Sequence, residues 1–400
     1  MEIILNEFDP DPIEETTSAA PPRAAPFFNI TMLPAGHGDA LWIEYGRKGG
    51  ATSRVLVDCG TTASFTHLKA RILKVPPAQR HFDLFLMSHI DSDHIGGALP
   101  FLAQHDALEV RFDDIWFNGQ RHLRPANRDA RMDSVHQGEV FSDLITSNAL
   151  PWNKWQKGKA IVRADNAAPS VILRGGMKIT LLSPTKAKLL SLADTWNKDL
   201  ADTALEPMEA LRAGQAARTS EDVAWLADIQ NHPFNEDAAA PNGSSIAVLA
   251  EFAGKVALLG ADAHPNLLEQ AIQTVLSGAG NAPTGGKKLH LDAFKVSHHG
   301  SQNNLSPALL RLISCRNFLI STNGAVFNHP DRVAVARIIQ SGAKPPQLWF
   351  NYLSEDNEVW AKPGLQSKYK FNAVFPSGAV GAVGAVGAVG AESGLTFSMF

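Results

Sequence analysis

The 400-residue chain has two cysteines, Cys59 and Cys315, too few for a disulfide framework and not spaced as a thiolate metal knuckle, which points to a reducing compartment. It has no strong excess of either charge. Lys+Arg 36 against Asp+Glu 40 leaves −4 at pH 7, which argues against broad electrostatic capture of DNA or of an anionic membrane. The start, MEIILNEFDPDPIEE, carries acids where a secretory signal needs basic and then apolar residues. Long apolar runs are scarce as well: Glu251 and Lys255 interrupt IAVLAEFAGKVALLG. The one long uncharged stretch, 371–391, is a Gly-Ala-Val repeat that offers little apolar surface per residue and reads as flexible or irregular. A cytoplasmic protein without membrane association is expected.

At 44% hydrophobic residues the chain can fill a large core. Residues 1–26 read as a Pro- and acid-rich leader and 351–400 as a C-terminal extension, leaving 27–350 as the domain. Within it, FFNITML, ALWIEYG, SRVLVDCG, HFDLFLMSH and VRFDDIWFNG read as strands, as do GMKITLLSP, SSIAVLAEF, KVALLGADA and LDAFKVSHHG. THLKARILKV and HPNLLEQAIQTVL read as helices. Several early connections are too short for crossover helices, so two mixed sheets with outer helices fit better than a doubly wound sheet. Residues 185–242 look less sheet-like and read as an insertion able to roof a site; 121–165 is a smaller candidate.

Chemistry concentrates at strand ends. SHIDSDHIGG places His89, Asp91, Asp93 and His94 within six residues, and a bound divalent cation would offset the repulsion of the crowded carboxylates. Imidazole with carboxylate and no nearby thiolate suits zinc, manganese or iron. Asp58 in VLVDCG, Asp262 in LLGADAH, and His298 and His299 in KVSHHGS end other strands, which suggests one composite site. In AGHGDA, Gly36 and Gly38 permit a tight loop carrying His37 and Asp39, read either as a hairpin or as a segment facing the pocket.

In this order, LVDCG, SHIDSDHIGG, GADA and SHHGS resemble the metallo-beta-lactamase fold hydrolases, over about residues 27–350. With MLPAGHGDALWIEYG and KVSHHGS, the chain is most similar to the soluble hydrolase domain of bacterial DNA-uptake competence proteins. The resemblance implies an α+β, four-layer αββα fold with one or two divalent ions, manganese or zinc. It implies His89 and Asp91 on one metal, Asp93 and His94 on the other, Asp262 bridging, and His298 or His299 completing the second. Asp58, Asp93 and Asp262 are then the catalytic carboxylates, and His37 and Asp39 face substrate or support the ligands. The superfamily usually has histidine in the place of Asp91 and another before the bridging aspartate. Here Asn242-Gly243-Ser244-Ser245 fills that approach, with His232 further back as a possible substitute.

The implied reaction is hydrolysis by a metal-held hydroxide, most simply of phosphodiester bonds in nucleotides or nucleic acid. Lactone, thioester or lactam hydrolysis is the alternative, with Trp152, Trp155, Trp196 and Trp225 as candidate apolar lining; an inactive binding module is the third. Arg121, Arg124, Arg128 and Arg131 could touch phosphate, although Asp129 and Asp133 suit an ordinary solvated face. Self-association stays open.

Overall fold

Strand residues alternate between two faces, and here both faces are apolar, so each sheet has to be covered on both sides. The computed structural model describes residues 24–123, 137–193, 229, 232–278, 288–342, 345–377, 389–390 and 393–400. Its larger sheets have six and eight strands. The first runs, in spatial order, Leu395–Ser398, Pro26–Met32, Leu41–Arg47, Thr52–Val57, Leu84–Leu86 and Ile115–Trp116. The second runs Asn372–Val374, Gln347–Phe350, Ile313–Ile320, Leu289–Lys295, Lys255–Leu259, Ala247–Phe252, Lys178–Ser183 and Ser170–Ile172. Both are mixed. Pro26–Met32, Leu41–Arg47 and Thr52–Val57 pair antiparallel, whereas Thr52–Val57 and Leu84–Leu86 are parallel. In the second sheet Lys255–Leu259 is parallel to Leu289–Lys295 and antiparallel to Ala247–Phe252.

The alternation sorts the core into layers. Ile43, Val55, Leu84 and Leu86 meet Leu181, Val248, Ala257, Leu259 and Leu319 between the sheets. Their neighbours Trp42, Leu56 and Phe85 point outward onto helices Phe65–Leu73, Ala98–Ala103 and Gln137–Ser147. On the far side, Leu249, Leu258, Phe294 and Phe318 pack on Pro265–Gly278, Pro307–Leu312 and Arg332–Ser341. The result is an α+β fold in four layers, αββα. Helix Phe65–Leu73 has the expected spacing, burying Phe65, Leu68 and Ile72 on one stripe.

Two differences from the sequence reading concern the strands. HFDLFLMSH and VRFDDIWFNG each split into two short strands, around Asp83 and around Asp113-Asp114. The first halves, His81–Phe82 and Arg111–Phe112, pair with each other in a separate two-stranded sheet, and at the breaks the Asp83 side chain accepts from the Tyr45 hydroxyl at 2.6 Å and that of Asp114 from the Lys154 and Trp155 amides at 2.9 and 3.0 Å. Residues 351–400, set apart as an extension in the sequence, contribute an edge strand to each sheet. The region 185–242 is described only at its ends: Leu189, Leu192 and Ala193 bury against the helices of the first sheet and Ile229 against those of the second. Most of the Gly-Ala-Val repeat, the leader to residue 23, Trp196, Trp225, Arg124, Arg128 and Arg131 lie outside the described residues. No described helix is long and apolar enough to cross a membrane.

Candidate metal centre

Parallel pairing brings the chemistry to one edge. Thr52–Val57 and Leu84–Leu86 run the same way, so Asp58 and Ser88-His89 leave the first sheet side by side, with the Asp58 amide bonded to the Leu86 carbonyl at 2.9 Å. Lys255–Leu259 and Leu289–Lys295 do the same for Asp262 and for His298-His299. A single helical turn, Ser92–Ile95, buries Asp93 and His94. The AGHGDA loop closes on this turn because Gly38 has no side chain; a Cβ there would collide with the Asp93 carbonyl. Four non-glycine residues at this edge have left-handed backbone: Asp58 at φ 56°, Ala261 at 45°, His298 at 47° and His299 at 54°. Each costs about 1–2 kcal/mol, strain of the kind that collects at functional sites.

Hydrogen bonds orient four imidazoles alike. His94 Nδ1 faces an Asp58 oxygen at 2.8 Å, and His299 Nδ1 faces the Ser321 carbonyl at 2.9 Å; both acceptors make Nδ1 the donor. The Ser88 hydroxyl donates to Asp58 at 2.7 Å, so at 2.9 Å it accepts from His89 Nδ1. His298 Nδ1 donates to Asn304 Oδ1 at 2.9 Å. All four Nε2 atoms then point at one oxygen, Asp262 Oδ2: His94 at 3.3 Å, His89 at 3.7 Å, His299 at 3.7 Å and His298 at 3.8 Å.

This arrangement fits a cation. With both Nδ1 atoms committed as donors, His94 Nε2 and His299 Nε2 face each other at 3.2 Å, a repulsive pair of lone pairs unless a proton or metal lies between the rings and the carboxylates. His89 Nε2 and Asp262 Oδ1 are buried with no hydrogen-bond partner. Metal–ligand bonds of about 2.0–2.2 Å place tetrahedral ligands roughly 3.4 Å apart. His94–Asp262 at 3.3 Å, His299–Asp93 at 3.3 Å and His94–His299 at 3.2 Å match that span. His89 is 3.4 Å from Asp91, whose side chain is 38% exposed and so reaches the open face.

The electrostatics agree. Burial opposes charge on Asp262, yet His94, His298 and His299 hold its carboxyl well below the usual range; Asp93 is held down by His94 and His299 in the same way. Burial likewise opposes charge on His299, and Asp262 and Asp39 outweigh it, lifting the ring to about 9. His94 is raised as well, against burial, by Asp262, Asp93 and Asp58. Such mutually stabilised ions form a site in which protons stand where a divalent ion can bind.

The residues singled out in the sequence separate into groups. His89, Asp93, His94, Asp262 and His299, together with Asp39 and Asp58, supply the mutually close donor atoms of the clusters at this edge, with Asp91 and His298 bordering them. Asp58 sits behind the ligand set: both its oxygens are taken by Ser88 and His94. Asp39 pairs at 2.6 Å with Lys295, which is fully buried, and lies 3.2 Å from His299 Nδ1. His37 is half-buried with its ring edge-on to Phe327, and burial lowers its pKa. His232 belongs to none of the clusters; it is exposed, with Nδ1 3.2 Å from the Pro233 carbonyl. Trp152 and Trp155 are packing residues, the first hydrogen-bonded to the Phe117 carbonyl and the second stacked on Trp116.

Several participants escaped the sequence reading. The signal that could have found Lys295 is its place as the one charge at the buried end of LDAFKV, a position that calls for a counter-ion. Asn304 and Asp237 carried no comparable signal, because neither belongs to a motif and they meet only in three dimensions.

The sequence profile of the metallo-beta-lactamase superfamily matches residues 33–145. That stretch includes AGHGDA, LVDCG and SHIDSDHIGG and stops before Asp262 and the histidine pair. The αββα layering and the His/Asp cluster agree with that superfamily's architecture. No curated protein matches the chain.

Proposed function

We propose that this chain is a metal-dependent hydrolase that cleaves phosphodiester bonds in nucleotides or nucleic acid. The observation that carries the reading is the convergence of four imidazole Nε2 atoms on Asp262 Oδ2, each with its other nitrogen engaged as a donor. Two divalent ions, when bound, supply a water of lowered pKa and neutralise charge developing on the phosphoryl oxygens. His89, Asp91 and His298 would hold one ion and Asp93, His94 and His299 the other, with Asp262 facing both sets. His298 thereby takes the part of the histidine missing before Asp262, and His299 completes the second position.

The remaining residues position this set. Asp58 fixes His94 from behind and, through Ser88, His89. Asp39, held by Lys295, steadies His299. His37, kept toward its neutral form by burial, faces substrate at the edge of the site. Three carboxylates among the donors, Asp91, Asp93 and Asp262, favour a hard ion, and manganese is preferred over zinc. The competence-like HxDxDH and HHGS segments favour a phosphodiester, and the packing of Trp152 and Trp155 removes two of the aromatics that would line an acyl pocket. Free thiols at Cys59 and Cys315 suit the cytoplasm.

The test is reconstitution of apoprotein with manganese or zinc, followed by parallel assays on a small phosphodiester, single-stranded DNA, a lactone and a thioester. Metal-dependent turnover of the phosphodiesters supports the reading. Turnover confined to the lactone or thioester, or no metal uptake, overturns it.

A further inference from the structure

We propose that Asp237, in the 185–242 insertion, is a positioning residue that sets the tautomer of His298 and so couples the insertion to the metal centre. The proposal rests on the reading of His298 as a ligand. Asp237 Oδ2 accepts from Asn304 Nδ2 at 2.9 Å and from Asn242 Nδ2 at 2.7 Å, while Oδ1 accepts the Ala239 amide at 2.9 Å. Asn304 Nδ2 also donates to the Asp262 carbonyl at 3.1 Å. With its amino group held by these two acceptors, Asn304 can present only Oδ1 to His298 Nδ1, at 2.9 Å. An acceptor at Nδ1 requires the proton there and leaves Nε2 with its lone pair, directed at Asp262 Oδ2 3.8 Å away. Asn242 Nδ2 also lies 3.4 Å from this Nδ1, but its shorter bond, 2.7 Å, goes to Asp237 Oδ2, which lies 3.6 Å from the same Nδ1 and favours a proton there.

Without the Asp237 carboxylate, the Asn304 amide loses one of the two acceptors that fix its orientation. A flipped amide would offer N–H to Nδ1 and move the ring proton to Nε2, the atom needed for a metal. The carboxylate side chain is 11% exposed and takes the Ala239 amide and the side-chain amino groups of Asn304 and Asn242, which makes it the common acceptor of this small network. The described end of the 185–242 segment therefore reaches the candidate ligands through Asp237, and not through His232.

The experiment measures manganese and zinc affinity and stoichiometry in apoprotein by calorimetry for wild type, Asp237→Asn, His298→Ala, the double variant, and Glu236→Gln as a control in the same segment, whose carboxylate accepts from Asn266. Asp237→Asn is expected to weaken one metal equivalent about 10–100-fold, the usual effect of removing a group that orients a ligand, and to leave the other unchanged. Because Asp237 acts through His298, adding Asp237→Asn to His298→Ala should change affinity little further. Asn304→Ser, which removes the intermediary, should weaken the same equivalent and serves if Asp237→Asn folds poorly. Wild-type affinity in Asp237→Asn or Asn304→Ser, or full additivity with His298→Ala, would overturn the proposal while leaving the hydrolase reading intact. A wild-type protein that binds no metal would overturn both.

Discussion

Asp58 accepts the Nδ1 proton of His94 at 2.8 Å, so a buried carboxylate on one strand end leaves Nε2 of a histidine on the next helical turn facing Asp262. The same carboxylate takes the Ser88 amide and hydroxyl at 2.7 Å each, and the hydroxyl in turn orients His89. One acid thus aligns two imidazoles without facing the centre of the cluster.

Asp58→Asn should therefore weaken metal binding about 10–100-fold, with turnover at saturating metal affected less than affinity. Calorimetric metal titration alongside kcat at high metal concentration checks this. Unchanged affinity with abolished kcat would instead mark Asp58 as a group acting on substrate.

The Asp39–Lys295 pair should control acid stability. Burial opposes the Asp39 charge, but Lys295 and His299 overcome it and lower the carboxyl from 3.8 to about 2. A depressed acid stabilises the fold above its unfolded pKa and loses that contribution as pH falls through its folded value. Between pH 4 and 2 the protein should lose about 2 kcal/mol from this group. At pH 7, Asp39→Asn should cost about 3–5 kcal/mol by leaving a buried ammonium unpaired, whereas Asp39→Leu combined with Lys295→Met should cost less. Urea unfolding of metal-free protein at several pH values measures all three; a double variant no more stable than the single would refute the pairing argument.

Asp91→His should move metal preference toward zinc, since an imidazole replaces a carboxylate oxygen on the open face of the site. The readout is the ratio of manganese- to zinc-supported activity in reconstituted apoprotein, expected to fall several-fold. A ratio that stays constant would mean that Asp91 does not reach an ion.

Much of the layering was legible because it follows from short-range chemistry. Trp42 and Ile43, or Leu56 and Val57, are adjacent in sequence and must fall on opposite faces of a strand, so two-sided apolar strands call for helices outside and a second sheet inside. The ligand candidates were legible for a similar reason: His89 through His94 are contiguous, and Asp262, His298 and His299 each follow a strand. What orients them was not. From its strand-end position Asp58 read as a catalytic carboxylate or as one that supports a turn or a ligand, and only the positive φ and the Ser88 bonds show it turned behind His94. The pairing of Asp237 with Asn304 spans 67 residues, and no local periodicity reports a contact of that range. His232 was singled out for its residue type, but a histidine among His-Pro-Phe turn residues is free to face solvent, as it does.

Replacement of Asp262 by asparagine tests the central claim most directly, because one oxygen of this residue faces all four imidazoles. Metal content and turnover of a small phosphodiester should be measured on the same folded sample, with circular dichroism matching wild type. The account predicts loss of at least one metal equivalent and a fall in turnover of more than about 100-fold. Wild-type turnover by well-folded Asp262→Asn protein, or by protein stripped of metal, would contradict it.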